Sequence, residues 1–264
     1  MIDSHCHLTY EPLAKQLPEV LARAASAGVS HMITIGTDLA DAQRAIELCR
    51  GHDNIRCSIG IHPHNSDKAQ DDDVQWLRSL QQSPAVLALG EMGLDYHYDF
   101  SPRPRQAEIF TAQLQLAQEL NRPIVIHNRE ATDDCLSILK NFPTIRALFH
   151  CFTGTADEAR KILDQGHLLG FTGIVTYKKS DELREVVKFT PAGRFVVETD
   201  SPYLSPDPVR KQKVNEPLFV MHTARLVAQL RNISIEELDK ITTQNVSRHF
   251  GWPEPQAPNP DSYP

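Results

Sequence analysis

A chain of 264 residues, 41% hydrophobic and 23% charged, has ample material for a core and fits one large domain or two small ones. Its net charge of −7 excludes a generic nucleic-acid binder, though not a local basic patch. No basic stretch followed by an apolar run opens it and no apolar segment approaches membrane-spanning length. Its five scattered cysteines, without a C-x-x-C, argue against a disulfide framework and for a reducing, cytoplasmic compartment.

The first predicted element is the strand "MIDSHCH". Side chains alternate along a strand, so His5 and His7 share one face and Cys6 takes the other. Two neutral imidazoles side by side suit a divalent metal; the alternative is a pair of partly exposed histidines near a terminus. Short runs rich in β-branched residues follow: "HMITIGT", "IRCSIGIH", "AVLALGE", "PIVIHN", "IRALFH", "HLLGFTG" and "RFVVETD". Continuous apolar runs of this kind predict strands covered on both faces, as in a parallel sheet. Helical patterns lie between them, among them "DLADAQRAIELCR", "RQAEIFTAQLQLAQEL" and "TADEARKILDQG", the last stopped at Gly166. Toward the C-terminus Asn215 is placed to cap a helix carrying Pro217 in its first turn, and Ser234–Glu237 ("SIEE") reads as a capping box. Residues 252–264, rich in proline and without an apolar pattern, read as a poorly ordered tail on one domain of residues 1–251.

Eight strands alternating with helices predict a single α/β domain, a (β/α)8 TIM-type barrel. A doubly wound open sheet is the alternative, but the glycine-rich phosphate loop it more naturally carries after its first strand is missing. Chemistry in the barrel sits at the C-terminal ends of the strands, and the predicted ends carry His5, His7, His62, Glu91, His127, His150 and Asp200. Singly, each has an ordinary explanation: His62 is a turn residue before Pro63, Glu91 a solvated loop carboxylate, His127 or His150 a hydrogen-bonded core histidine. Their joint placement at equivalent positions predicts a metal site. Four histidines (His5, His7, His127, His150) and two carboxylates exceed what one catalytic ion with open positions needs. Two ions per chain are therefore expected, with Glu91 bridging one held by His5, His7 and Asp200 to another held by His127 and His150. Mixed nitrogen and oxygen ligation is compatible with Zn²⁺, Mn²⁺ or Mg²⁺.

In order and at family-like spacing, "DSHCHL", "GIHPH", "LGEMGLDYHYD", "RQAEIFTAQLQLA", "PIVIHNREA", "HCFTGT" and "ETDSPYLSP" resemble the successive motifs of the TatD-related metal-dependent deoxyribonucleases, which are amidohydrolase-type barrels. The resemblance runs from Asp3 to about Phe250. It implies a divalent-metal nuclease that hydrolyses DNA phosphodiesters with metal-activated water, as a 3′-to-5′ exonuclease preferring single strands or 3′ ends. RNA is a further substrate to consider, and no membrane or obligate protein partner is implied. The resemblance also implies metal ligands at His5, His7, Glu91, His127, His150 and Asp200, the set reached from the strand ends. It supplies the counterpart of His62, which we place in the substrate site, and sets Arg129 facing phosphate. Two departures stand out. The basic stretch "VRKQKVNEP" lacks the glycine that many relatives have there, and Asn128 replaces a small serine or threonine.

Asp200 is the expected residue for orienting water and accepting its proton, with Glu91 as its catalytic companion. Glu198 lies two residues earlier on the same strand face and is either a support for the site or half of an ordinary buried ion pair. Basic stretches at Arg103–Arg105, Tyr177–Lys179 and Arg210–Lys213 follow the fourth, seventh and eighth strands, and Lys213 is the expected substrate contact among them; solvated surface charge is the alternative. Tyr96, Tyr98, Phe152 and Tyr203 occupy loops on the same face, where they either stack bases of a single strand or pack the loops. Two other functions are compatible with the pattern. One is a hydrolase of a small amide, ester or lactone on the same barrel, the other a non-catalytic binding protein with a retained metal site.

Overall fold

The computed structural model describes residues 1–70 and 72–254. Eight parallel strands lie in one sheet in sequence order: β1 (Ile2–Cys6), β2 (His31–Gly36), β3 (Ile55–Ile59), β4 (Val86–Asp95), β5 (Ile124–Arg129), β6 (Ala147–Phe149), β7 (Leu168–Phe171) and β8 (Phe195–Val197). The segment after β8 closes the sheet onto β1. It does so through the Cys6–Ser201 bridge and through backbone bonds from Asp200 N to His5 O (2.9 Å) and from His7 N to Ser201 O (2.7 Å). The result is a (β/α)8 barrel, and the closure puts Asp200 beside His5 and His7.

The helices alternate with the strands: α1 (Leu17–Ser26), α2 (Leu39–Arg50), α3 (Asp73–Leu80), α4 (Arg103–Leu120), α5 (Thr132–Leu139), α6 (Ala156–Asp164), α7 (Asp181–Phe189), then α8 (Val220–Arg231) and α9 (Ile235–Phe250). Local chemistry starts and stops them. Asp38 caps α2 by accepting from Asp41 N (2.8 Å), Thr155 and Glu158 form a reciprocal capping box on α6, and Gly166, at φ +84°, follows its end. Ser234 caps α9 by accepting from Glu237 N. Asn215 does not cap a helix. Its buried Nδ2 donates to Thr199 O (2.9 Å) and Tyr203 O (2.5 Å), and α8 begins only after a 3-10 turn at Pro217–Phe219. A buried amide must be satisfied, and here the loop after β8 takes its donors.

Apolar residues from seven strands, including Ile33, Val125, Leu148 and Val196, fill one end of the barrel together with Val246, Phe250 and Trp252. Trp252, expected in the tail, is 7% exposed and has Arg56 over its ring at 5.6 Å, so packed structure runs beyond residue 251. A large ring with this much apolar area gains more from burial than a terminus loses by being ordered. The rest of the expected tail, residues 255–264, lies outside the described residues.

β4 is longer than its sequence pattern. It does not end at Glu91 but continues to Asp95, buried throughout. Its pairing with β5 shifts register between Leu89 and Met92, where Gly90 (φ +127°) and Gly93 (φ +140°) adopt backbone conformations that favour glycine. A Cβ on Gly90 would sit 2.2 Å from Val125 O. Glycine therefore lets β4 lie close against β5 while Glu91 turns into the barrel mouth.

Candidate metal centre

Glu91 stands at the middle of the mouth, 2% exposed. Its Oε1 lies 2.6 Å from His150 Nε2, 2.8 Å from His127 Nδ1 and 3.4 Å from His62 Nε2, while Oε2 lies 3.5 Å from His5 Nε2. Asp200, just past β8 at φ +57°, places Oδ1 3.3 Å from His7 Nε2 and 3.6 Å from His5 Nε2. The His5 and His150 rings stack at 3.9 Å between centroids. The structure thus brings together all six residues expected as ligands, and His62 with them.

The electrostatics of this cluster ask for a cation. Burial opposes ionisation of Glu91, yet the His150, His62 and His127 imidazoles hold its carboxyl well below the usual range. Asp200 is also held low, against burial, by His7, His150 and His5. The same cluster leaves buried nitrogens orphaned: both of His5, Nδ1 of His7 and Nδ1 of His150 have no hydrogen-bond partner among the described residues. Buried anions beside unpartnered imidazole nitrogens are costly alone and fit a bound metal ion. Two sets, His5 with His7 and Asp200, and His5 with Glu91 and His150, present ligand atoms within 4.8 Å of one another.

Two further carboxylates stand against the histidines of the cluster. Glu198 accepts from Cys151 N (2.6 Å) and Ser4 Oγ (3.3 Å), with its Oε1 3.6 Å from His150 Nδ1. Asp95 was not singled out by its sequence. Its Oδ2 meets both His127 Nε2 (2.9 Å) and His64 Nε2 (2.8 Å), and its Oδ1 accepts from His97 N (3.0 Å) and Tyr98 N (2.9 Å). The usable signal was alternation, since residues 91, 93 and 95 share a strand face, but it requires knowing that β4 extends to Asp95. His64, past the predicted end of its strand, carries no such signal. With His62 and His127 it forms a third set of ligand atoms within 4.8 Å.

The mouth cavity has a volume of about 530 Å³. His62 Nδ1 accepts from His64 N (3.1 Å), and burial pushes its pKa down to about 4. The neutral ring therefore carries its proton on Nε2, facing Glu91 and the cavity. Arg129 lies on the cavity wall, 5.4 Å over the Tyr98 ring. Tyr98 and Tyr203 rim the cavity at 50% and 53% exposure, joined by Phe100 at 66%. Tyr96 and Phe152 are packing residues: Tyr96 donates to Asp134 (2.8 Å) under the Arg103 guanidinium, and Phe152 is buried. The basic stretches divide too. Arg103 pairs with Asp99 and Arg105 with the carbonyls of Ser66 and Ala69, while Arg210 stacks on Tyr177 at 3.8 Å. Lys213 is exposed and is not brought to the mouth cavity.

A (β/α)8 barrel with carboxylates and imidazoles converging at the C-terminal ends of its strands defines a metal-dependent hydrolase. Residues 2–251 match the family model for TatD-related DNases, and the chain belongs to that family. It is 40% identical over 252 residues to the uncharacterized metal-dependent hydrolase YabD of Bacillus subtilis, covering 95% of this chain and 98% of YabD. It is also 40% identical over 257 residues to the 3′-5′ ssDNA/RNA exonuclease TatD of Erwinia tasmaniensis, covering 95% and 99%. The crystal structure of YJJV, a TatD homologue from Escherichia coli K12, superposes with a TM-score of 0.91 at 26% identity, covering 96% of this chain and 98% of that one. The protein is a TatD-family metal-dependent hydrolase. No helix among its described residues is long and apolar enough to cross a membrane.

Proposed function

We propose that this hydrolase is a nuclease that cleaves DNA phosphodiester bonds from the 3′ end of single strands, with RNA also accepted. The observation that carries the reading is Glu91, whose two oxygens are shared among four imidazoles. In this reading His5, His7 and Asp200 would hold one divalent ion (Mg²⁺, Mn²⁺ or Zn²⁺) and His127 and His150 a second, with Glu91 shared between them. Such ions, when bound, polarise a phosphoryl oxygen and make water acidic enough to supply a nucleophile at neutral pH.

The residues do the rest. Asp200 side-chain exposure is 13%, against 3% for Glu91 and none for Glu198 or Asp95, so it is the carboxylate that best reaches the substrate side. Its Oδ1 faces His7 and His5, and Oδ2, without a hydrogen-bond partner among the described residues, accepts the proton of the attacking water. His62 Nε2–H donates to the reacting phosphate, and Arg129 pairs with a phosphate oxygen. Tyr98, Phe100 and Tyr203 offer ring faces to unpaired bases, an attraction open to single strands. The relative named as an ssDNA/RNA exonuclease supports the substrate class, and the five free cysteines support a cytoplasmic location.

The test is divalent-metal-dependent turnover of single-stranded DNA beside a small amide, an ester and a lactone. The proposal expects DNA to be degraded from its 3′ end, with activity lost to a chelator and regained with metal. Turnover of the amide, ester or lactone without DNA turnover would reassign the substrate, and no turnover of any would leave a binding protein.

A further inference from the structure

Beside the metal centre the mouth opens into a second cavity of about 440 Å³, walled by the loops that follow β5, β6 and β7. Both cavities are lined by Asn128, Arg129, His150, Thr153 and Ile174, so they adjoin across a shared wall. Two cations stand at the rim of the side cavity. Arg129 and Lys179 stand exposed there, and neither forms an ion pair among the described residues.

The lining also carries acceptors, with Glu130 and Glu182 exposed and Glu158 partly buried. Glu158 Oε2 takes Thr155 N (2.7 Å) and Glu182 Oε1 takes Ala156 N (3.1 Å) at the start of α6. Asn128 gives its Nδ2 to Thr132 Oγ1 (2.8 Å) and keeps a buried Oδ1 with no donor among the described residues. Glu130, the third carboxylate of the lining, is engaged by His97 Nδ1 (2.8 Å). Phe149, Phe152, Ile174 and Leu183 supply apolar surface. Carboxylates repel a phosphate but accept from a flat ring bearing N–H donors. The volume lies at the small end of the range for ligand sites, which suits one nucleotide unit.

We propose that this side pocket is a base-reading subsite, an inference that rests on the nucleic-acid reading above. It takes the base of the nucleotide next to the scissile phosphate, while Arg129 and Lys179 at the rim hold the backbone. It prefers bases with an exocyclic amino group. Cytosine, adenine and guanine each present an NH₂ to the Glu158 and Glu182 carboxylates and to the buried Asn128 Oδ1, and carboxylates read cytosine through that group. Thymine and uracil offer one ring N–H and no amino group.

The experiment uses the metal-loaded full chain and short single-stranded DNAs in which the nucleotide on either side of the cleaved bond is varied through the four bases. On the side that enters the pocket, kcat/KM for cytosine, adenine and guanine should exceed that for thymine by about fivefold or more, the scale of one hydrogen bond. Thr153 is exposed on the wall between the cavities, and Thr153→Trp should fill the side pocket and bring the four rates within about twofold. If that variant does not fold, Glu182→Gln, which keeps the shape and removes the charge, should narrow the same preference. As an independent readout, deoxycytidine but not thymidine should shift the NMR signals of residues 153–155 in the wild-type protein. Equal rates for all four bases, or an undiminished preference in the variants, would overturn the subsite while leaving the nuclease standing. No turnover of any DNA by the loaded wild type would instead remove the nuclease reading and the subsite with it.

Discussion

Asp200 and Glu91 are both carboxylates among imidazoles, and their exposure differs, which is the basis of the separate roles proposed for them. Asp200→Asn keeps the shape and a neutral ligand oxygen but cannot accept a proton at neutral pH. Metal content, read by elemental analysis, should fall modestly, while the single-turnover rate at saturating metal should fall by roughly 10² or more, the usual range for a general base. Near-normal turnover with excess metal would make Asp200 a ligand only. Asp95→Asn tests a different kind of residue. It leaves every proposed ligand in place but weakens the partner that fixes the tautomer of His127, so metal affinity measured by titration calorimetry should drop 10- to 100-fold; unchanged affinity would reduce Asp95 to a loop anchor. The convergence of the six expected ligands was legible because each of those residues ends, or nearly ends, an apolar run. Asp95 and His64 were not, since their importance comes from a shared oxygen that only the closed barrel assembles. Lys213 is the opposite case, part of a charge run visible in sequence whose direction, away from the mouth cavity, is not.

At the scale of elements, β4 carries the most demanding geometry. Gly90→Ala would drive a methyl group into Val125 O, 2.2 Å away, at φ +127°. We expect a loss of about 3 kcal/mol or more in urea denaturation, through strain and backbone displacement, with metal binding weakened because Glu91 moves. A stability within about 0.5 kcal/mol of wild type would show that the strand has room to spare. This element also shows where pattern reading stops. Apolar runs located all eight strands, yet the run "AVLALGE" suggested an end at Glu91. Two glycines, usually breakers, here let the strand continue through a change of register. Asn215 is the converse case, a residue with capping chemistry whose amide the packed loop claimed first.

The whole molecule separates chemistry from stability at the two ends of its barrel. At the apolar end His249 is buried against Ile124 O (3.3 Å), and burial pushes its pKa down to about 4; His167 is likewise pushed down to about 4 by burial. The unfolded chain takes up a proton at each near pH 6.5, and the folded chain does not until about pH 4. Stability is therefore lost as pH falls through that window, by at most about 1.4 kcal/mol per pH unit for each histidine. His249→Gln should lose less stability than wild type between pH 7 and pH 5 in urea melts, and an identical loss would deny the histidine this role. The barrel was legible as a whole because eight short runs alternating with helices admit few other folds, whereas the place of Trp252 was hidden, since one aromatic among prolines shows no period. The most direct measurement of the central claim is metal stoichiometry and turnover in Glu91→Gln. If Glu91 joins two ions, the variant should fold normally, as judged by its melt without added metal, bind fewer than one ion where wild type binds two, and lose turnover of single-stranded DNA. Two bound ions with full turnover in Glu91→Gln would contradict the account.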